Sequence, residues 1–498
     1  MKKFYGSLLA LAFLVIGCAE DDPVIPDPQD DDPIVYTSGS ADFSTYVALG
    51  NSLTAGFSDA ALFIEGQTNS FPNMLAQNFA LAGGGSFSTP FMADNLGGAT
   101  LGGNPILGNR LILSFASGSP APVPVAGTGT TEISNVLTGP FGNMGVPGAK
   151  SYHLVAPGYG SVAGVALGLA NPYYARFASS STSTVLGDAA VQNPSFFSLW
   201  IGNNDVLGFA ASGGSGVDQA GNLDPSTYGG NDISDQNVFA SVYNTLLQTM
   251  TANGADGVVA NIPDVLETPY FNTVPFNAIP LDQATADVVN AAYAAYNGGL
   301  AQLQLGGLIS ADELARRTIN FTAGQNAVVI IDEDLTDLTA FNPGLINMRQ
   351  ATAEDLLILP AASFLGTLAN PQDPTSINGV AVPLADNWVV TPEEATLINN
   401  AIAGYNQTIA ALAAQYDVAL VDANALFDEL VANGLPQADG STVTATFATG
   451  GGFSLDGIHP SPRGYAILAN AFTTAINAKY GSNLPMVNPL DFKGLYIQ

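Results

Sequence analysis

One cysteine, two histidines and eleven basic residues are all that a chain of 498 residues holds of these types. Each scarcity removes a chemistry. The lone Cys18 can form no disulfide within the chain, and its place near the N-terminus leaves the rest of the sequence without a thiol nucleophile. Two histidines, His153 and His459, make a zinc site of two or three imidazoles hard to build. No metal and no cofactor is expected. The 11 Lys and Arg face 42 Asp and Glu, for a net charge of −31. Nothing in that balance neutralises a run of phosphates, so nucleic acid is excluded as a partner, and electrostatic docking to anionic lipid is disfavoured. Charge of either sign is scarce, at 11% of residues, while 47% are hydrophobic. A folded chain is implied, with a large core or one catalytic domain carrying long insertions.

No apolar run near the N-terminus is long enough to span a bilayer, which takes about 20 residues. Lys2 and Lys3 instead precede a short apolar stretch from Ser7 to Ile16, the pattern of a signal segment. It ends in Val15-Ile16-Gly17-Cys18, which resembles the bacterial lipobox. That resemblance implies residues 1–18 as a lipoprotein signal peptide, with cleavage before Cys18 and a diacylglycerol on its thiol. Residues 19–42 follow as an acidic tether, in which Pro23, Pro26, Pro28 and Pro33 alternate with Asp and Glu. A solvated linker accounts for this Asp run better than a calcium site does. Acidic residues just behind the cysteine resemble the surface-export signals of Bacteroidetes lipoproteins. The implied location is the outer membrane, held through the lipid anchor, with the choice of face left open.

The folded region is expected from Phe43 to the C-terminus. Four continuous apolar runs have the character of buried parallel strands: Tyr46 to Leu49, Ser195 to Ile201, Gly257 to Pro263 and Val418 to Asp422. Helical patterns fall between them. Val238, Val242, Leu246 and Met250 share one face, and Thr391-Pro392-Glu393-Glu394 opens a helix running to about Gln415. Strands alternating with helices predict an α/β fold, a three-layer α/β/α doubly wound parallel sheet with its site at the carboxyl ends of the strands. Two stretches fall outside this pattern as insertions. Residues 83–141 are rich in Gly, Pro, Ser and Thr. Residues 281–388 carry a helical face of Val289, Tyr296, Leu300 and Leu303 and an apolar run from Leu356 to Leu365. Each is open to two readings, a lid or wall over the site and mere embellishment.

With thiols absent, a serine served by one of the two histidines is the leading nucleophile for a hydrolase. His459 stands in Asp456-Gly457-Ile458-His459-Pro460, extended by the proline that follows it. Ser461-Pro462 then starts a helix with Tyr465, Leu468, Phe472 and Ile476 on one face. Asp456 can turn back to the Nδ1–H of His459 and fix its tautomer. A polar turn with a locally capping histidine is the competing reading. Ser52 stands where the first strand leaves the sheet, in Gly50-Asn51-Ser52-Leu53, though turns often take serine without function.

Together these segments resemble the SGNH (GDSL-like) hydrolase family, whose fold is flavodoxin-like. Gly50-Asn51-Ser52-Leu53 matches its first motif, Asn143 to Gly148 its N-x-x-x-x-G, Gly202-Asn203-Asn204-Asp205 its G-x-N-D, and Asp456 to Pro460 its D-x-x-H-P. The four motifs occur in the family's order. Both insertions stay unmatched. The resemblance implies Ser52 as nucleophile, His459 as base and then acid, and Asp456 as the residue that orients it. It also implies an oxyanion hole of the Ser52 N–H, the Gly148 N–H and the Asn204 amide. Asn51 departs from the family's Asp, which alters how the Ser52 loop is held without removing a catalytic atom. Asp205 is expected to brace its loop and His153 to be structural or at the pocket edge.

The expected function is therefore a serine carboxylester hydrolase at the cell envelope, of the esterase or lipase kind, acting on an ester-bearing lipid or small molecule. Asn261-Ile262-Pro263-Asp264 with Thr268-Pro269 resembles a loop of lipase-like members. The alternatives are a polysaccharide O-deacetylase using the same residues, with a glycan as substrate, and a surface binding lipoprotein that keeps the fold without catalysis. An outer-membrane barrel would suit the Gly-rich acidic composition but not the interleaved helices.

Overall fold

The computed structural model describes residues 34–498 other than Ser117. The expected signal segment 1–18, its Cys18 and the Asp-rich stretch as far as residue 33 lie outside the described residues. No helix among the described residues is long and apolar enough to cross a membrane.

The protein is α/β, built on a five-stranded parallel sheet flanked by helices. Its strands are β1 (Tyr46–Gly50), β2 (Asn143–Gly145), β3 (Phe196–Trp200), β4 (Asp256–Ala260) and β5 (Ala419–Val421). They lie in the order β2-β1-β3-β4-β5, every neighbouring pair parallel. This order has a single reversal, between β1 and β3, where successive crossovers leave toward opposite edges of the sheet. Such a point opens a crevice outside the carboxyl ends of the strands. β1 and β3 are buried at every residue, which is why each is a continuous apolar run in the sequence.

The main helices are α1 (Ser52–Ala55), α2 (Phe71–Leu81), α3 (Asn204–Ala211), α4 (Gln236–Thr251), α5 (Gln283–Leu305), α6 (Pro392–Gln415), α7 (Ala423–Ala432) and α8 (Pro462–Tyr480). Alternation along each strand sends side chains to two faces. Val47, Leu49, Phe197 and Leu199 pack against α4 and α6 through Phe239, Tyr243, Leu246, Ile402 and Tyr405. Tyr46, Ala48, Phe196 and Trp200 pack against α2 and α8 through Phe71, Phe79, Tyr465, Phe472 and Ile476. The helix starts follow the sequence signals. Thr391 and Glu394 close a reciprocal capping box at α6, with Pro392 at the first helical position. The Ser461 hydroxyl accepts from the Gly464 N–H to cap α8.

Several boundaries differ from expectation. The body reaches back past Phe43: the Thr37 N–H donates to Asn483 Oδ1 at 2.6 Å and the Ser40 N–H to Tyr480 O at 2.8 Å. β4 ends at Ala260; Ile262 beyond it stays buried in the core and Pro263 lines the crevice. β2 was not legible as a strand, since Asn-Met-Gly offers no apolar run. The second insertion has a core of its own, in which Tyr293, Tyr296 and Leu300 of α5 pack on Val328, Val329, Ile330, Leu345 and Leu357. Inside it the buried Arg349 pairs with Asp332 at 2.5 Å and Asp355 at 2.7 Å.

Phe472 is fully buried, stacked on Phe71 at 4.5 Å between ring centroids and against Trp200 at 5.8 Å. Phe472→Ala leaves a cavity under β3, and urea unfolding is expected to show a loss of about 3–5 kcal/mol. A loss below about 1 kcal/mol would contradict this packing.

Candidate active site

The four expected motifs come together at the carboxyl edge of the sheet, on the β1/β3 reversal. Ser52 is the first residue of α1, directly after β1. Asn51 caps that helix, its Oδ1 accepting from the Leu53 N–H at 3.0 Å, while its Nδ2 donates to Asn203 Oδ1 at 3.1 Å. The Asn51 amide thus ties the Ser52 turn to the loop after β3. His459 reaches the same point from the segment before α8. Its Nε2 lies 2.9 Å from Ser52 Oγ, and its Nδ1 lies 2.9 Å from Asp456 Oδ2. Ser52, Asp456 and His459 therefore form one unbroken hydrogen-bonded chain across 407 residues of sequence.

Asp456 is held from several sides. Its Oδ1 accepts from the N–H groups of Ile458 at 2.9 Å and His459 at 2.8 Å, and its Oδ2 also accepts from the Ala60 N–H at 2.9 Å. Burial pushes this carboxyl up. The His459 charge and these hydrogen bonds outweigh burial and hold it down at about 2. It is a carboxylate at any ordinary pH and can stabilise an imidazolium. The His459 ring packs against Phe57 at 4.6 Å, and the Tyr465 hydroxyl of α8 donates to Phe57 O at 2.6 Å.

The expected oxyanion donors face the same crevice. Ser52, Gly148, Asn204 and His459 line one cavity with Phe57, Ala60, Pro147 and Tyr173. Among the described residues, neither the Ser52 N–H nor the Gly148 N–H donates to a protein acceptor. Gly148 has φ of 80°, a left-handed turn that favours glycine. Asn204 spends one amide hydrogen on Ala149 O at 2.9 Å, which fixes the side chain and leaves its second hydrogen for the crevice. Asp205 braces the neighbouring turn. Its carboxylate accepts from the Ser151 N–H and the Ser151 hydroxyl, both at 2.7 Å, and burial pushes it up against these bonds and the Lys150 charge. His153 plays no part. It accepts from the Lys150 N–H at 3.0 Å and stacks on Tyr159, and burial, then Lys150, pulls it down to about 4.

A second, largely apolar cavity opens on the other side of Ser52. Leu53, Trp200, Leu207, Leu426, Phe427 and Leu468 are among the side chains that wall it. The first insertion contributes Leu107 and Gly108 to the cavity beside Gly148; the second insertion lines neither cavity. The second insertion instead touches the histidine loop from outside, Leu359 N–H donating to Tyr270 O and Tyr270 N–H to Gly457 O.

No sequence pattern pointed to Asp59, Asn171 or the Ser58–Ala61 turn. Asp59 and Ala60 both have positive φ, 51° and 63°, in a turn closed by reciprocal Ser58 and Ala61 hydrogen bonds. Neither residue is glycine, so the turn costs about 1–2 kcal/mol per residue. In exchange it presents the Ala60 N–H to Asp456 and the Asp59 N–H to Ser454 Oγ at 2.9 Å. Asn171 Nδ2 holds Pro147 O at 2.8 Å, next to Gly148.

No protein-family model, no curated protein and no solved structure matches the chain.

Asp59 is 1% exposed. One oxygen accepts from the Leu455 N–H at 2.9 Å and the other has no partner. Burial above all, then the Asp456 charge, raises its carboxyl to about 7, against the Leu455 hydrogen bond and the charges of Arg110 and His459. The native state thus holds this proton more tightly than the unfolded chain. Its stabilising contribution is complete below about pH 4 and is lost as pH rises through about 7. Asp59→Asn, which keeps the shape, is expected to shrink the fall in urea midpoint between pH 5 and pH 8. An unchanged fall would show that Asp59 is not the group that titrates.

Proposed function

We propose that the chain is a serine carboxylester hydrolase of the SGNH type acting on acyl esters. The observation that carries this reading is the Ser52–His459–Asp456 chain, with both hydrogen bonds at 2.9 Å, opening onto an apolar groove on one side and unspent N–H donors on the other. The strand order supports it, being the flavodoxin-like order 2-1-3-4-5 that the family resemblance implies.

Ser52 Oγ attacks the ester carbonyl while its proton passes to His459 Nε2. The carbonyl π electrons move to oxygen, where the Ser52 and Gly148 N–H groups and the Asn204 amide stabilise the developing charge. Such a donor is worth about 2.7–4 kcal/mol in the transition state. Asp456 holds the imidazole and balances the charge it gains. Collapse of the intermediate breaks the bond to the alcohol, which leaves with the proton from His459. Water then repeats the sequence on the acyl-Ser52 ester and releases the acid.

The groove favours an acyl substrate. Its Leu, Phe, Trp and Ile walls suit an acyl chain and offer little to the hydroxyls of a glycan, which disfavours the O-deacetylase alternative. Each methylene buried there is worth about 0.8 kcal/mol, close to a fourfold gain in kcat/KM. A lipid anchor at Cys18 would hold this site at the outer membrane, near acyl-ester substrates.

Hydrolysis of p-nitrophenyl esters from acetate to palmitate tests the reading. We expect kcat/KM to climb about fourfold per methylene until the groove is filled, and Ser52→Ala to remove at least about four orders of magnitude. Asn204→Ala is expected to cost about 10²–10³ in kcat. A preference for acetate with no gain from longer chains would favour the deacetylase reading. No turnover that depends on Ser52 would leave a binding protein.

A further inference from the structure

Away from the Ser52 crevice, three carboxylates from distant parts of the chain converge. Glu333 and Asp386 come from the second insertion and Glu394 from the first turn of α6, with one oxygen of each within 4.8 Å of the others. Glu394 is only 4% exposed. Its Oε2 accepts from the Thr391 N–H at 2.7 Å and the Thr391 hydroxyl at 3.0 Å, which completes the capping box. Its Oε1 is buried and has no hydrogen-bond partner. Asp386 is divided the same way: Oδ2 accepts from the Ser215 hydroxyl at 2.8 Å, and Oδ1 is buried without a partner. Helix capping explains one oxygen of Glu394 and leaves the other unexplained.

The cluster has no counter-charge. Among the described residues no Lys or Arg pairs with any of the three; the nearby Arg316 is engaged by Asp332 and Glu393. Two buried carboxylate oxygens without a donor, beside a third acid, are costly as full charges, and a shared proton or a bound cation relieves that cost. The backbone makes room for the acids at close quarters. Gly214, with φ of 76°, lies so near that a Cβ there would stand 1.6 Å from Glu394 Oε1. A Cβ on Gly213 would stand 2.4 Å from Asp386 O.

The donors are all oxygen, with no imidazole and no thiolate, which selects a hard cation over zinc or copper. Carboxylates drawn from separate segments suit the flexible six-to-eight-oxygen shell of calcium better than the strict octahedron of magnesium. We propose that Glu333, Asp386 and Glu394 form a calcium site that clamps the second insertion onto the start of α6 and the loop leaving α3. Water supplies the rest of the shell. The clamp lies at the far end of α3 from Asn204, so it secures the helix that carries that amide and is no part of the Ser52 chemistry.

The test compares the full chain, stripped with EGTA, with its Glu333→Gln/Asp386→Asn variant, which leaves the Glu394 cap intact. Thermal unfolding and calorimetric titration are run with CaCl₂, and with MgCl₂ for comparison. The expected result is a rise in Tm of several degrees for the parent at millimolar calcium, a smaller one with magnesium, and one fewer calcium bound by the variant. The metal-free variant is expected to unfold at or above the parent's temperature, because a repulsion has been removed. The proposal is overturned if calcium leaves the parent's Tm unchanged, or if the variant keeps the full shift and stoichiometry. The second outcome would move the binding elsewhere, to the Asp-rich segment near the N-terminus.

Discussion

Strands β1 and β3 pair over five residues, Tyr46 with Phe196 through Gly50 with Trp200, and they end level with one another. The chain then leaves them toward opposite edges of the sheet. Two turns that would otherwise compete for space are driven apart, and the gap between them cannot be closed by either crossover. The site depends on this constraint. Ser52 stands on one turn and Asn203 and Asn204 on the other, and the Asn51–Asn203 hydrogen bond bridges the gap at its base. A shift of one residue in the β1/β3 register would send Val47 and Leu49 to the wrong layer, so the hydrophobic pattern that forms the core also fixes the depth of Ser52.

The remaining groups are brought to this gap by elements whose own stability is independent of it. α8 is anchored by Phe472 and Tyr465 in the core, and its Ser461 cap fixes where the chain enters. His459 is two residues before that cap and inherits its position. Asp456 is then placed by backbone N–H donors from its own loop and from the Ser58–Ala61 turn. Rigid elements thus set the site, and the apolar groove is what remains between α3, α7 and α8 above the sheet.

Sequence patterns carried most of this because the chemistry is local to strand ends. A fully buried strand is a continuous apolar run, and a capped helix announces itself with Thr391-Pro392 or Ser461-Pro462. What escaped was whatever depends on contacts between segments. β2 is a strand because Ala48 to Gly50 pair with it, not because Asn-Met-Gly prefers to be one. Asp59 is an ordinary acid in the sequence and becomes a buried one only through Leu455 and Ser454, some 396 residues away. The second insertion shows a helical face and apolar runs in the sequence, but nothing there indicates that its core forms by joining α5 to strand pairs up to a hundred residues later. Glu333, Asp386 and Glu394 show no spacing motif, since the fold alone collects them.

The two acids beside His459 illustrate how environment, not identity, assigns their roles. Asp456 and Asp59 are bound to the same turn and the same loop, one through the Ala60 N–H and the other through the Leu455 N–H. Asp456 receives several hydrogen bonds and the imidazole and stays ionised; Asp59 receives one, keeps an orphaned oxygen, and is pushed toward neutrality by burial. Pairs of carboxyls pushed apart in this way divide the work of a site. Both acids serve as acceptors that tie the Ser454–His459 loop to the turn at residue 59. The strain of two left-handed non-glycine residues in that turn is accordingly part of the arrangement, because it is the conformation that aims both N–H groups at the loop.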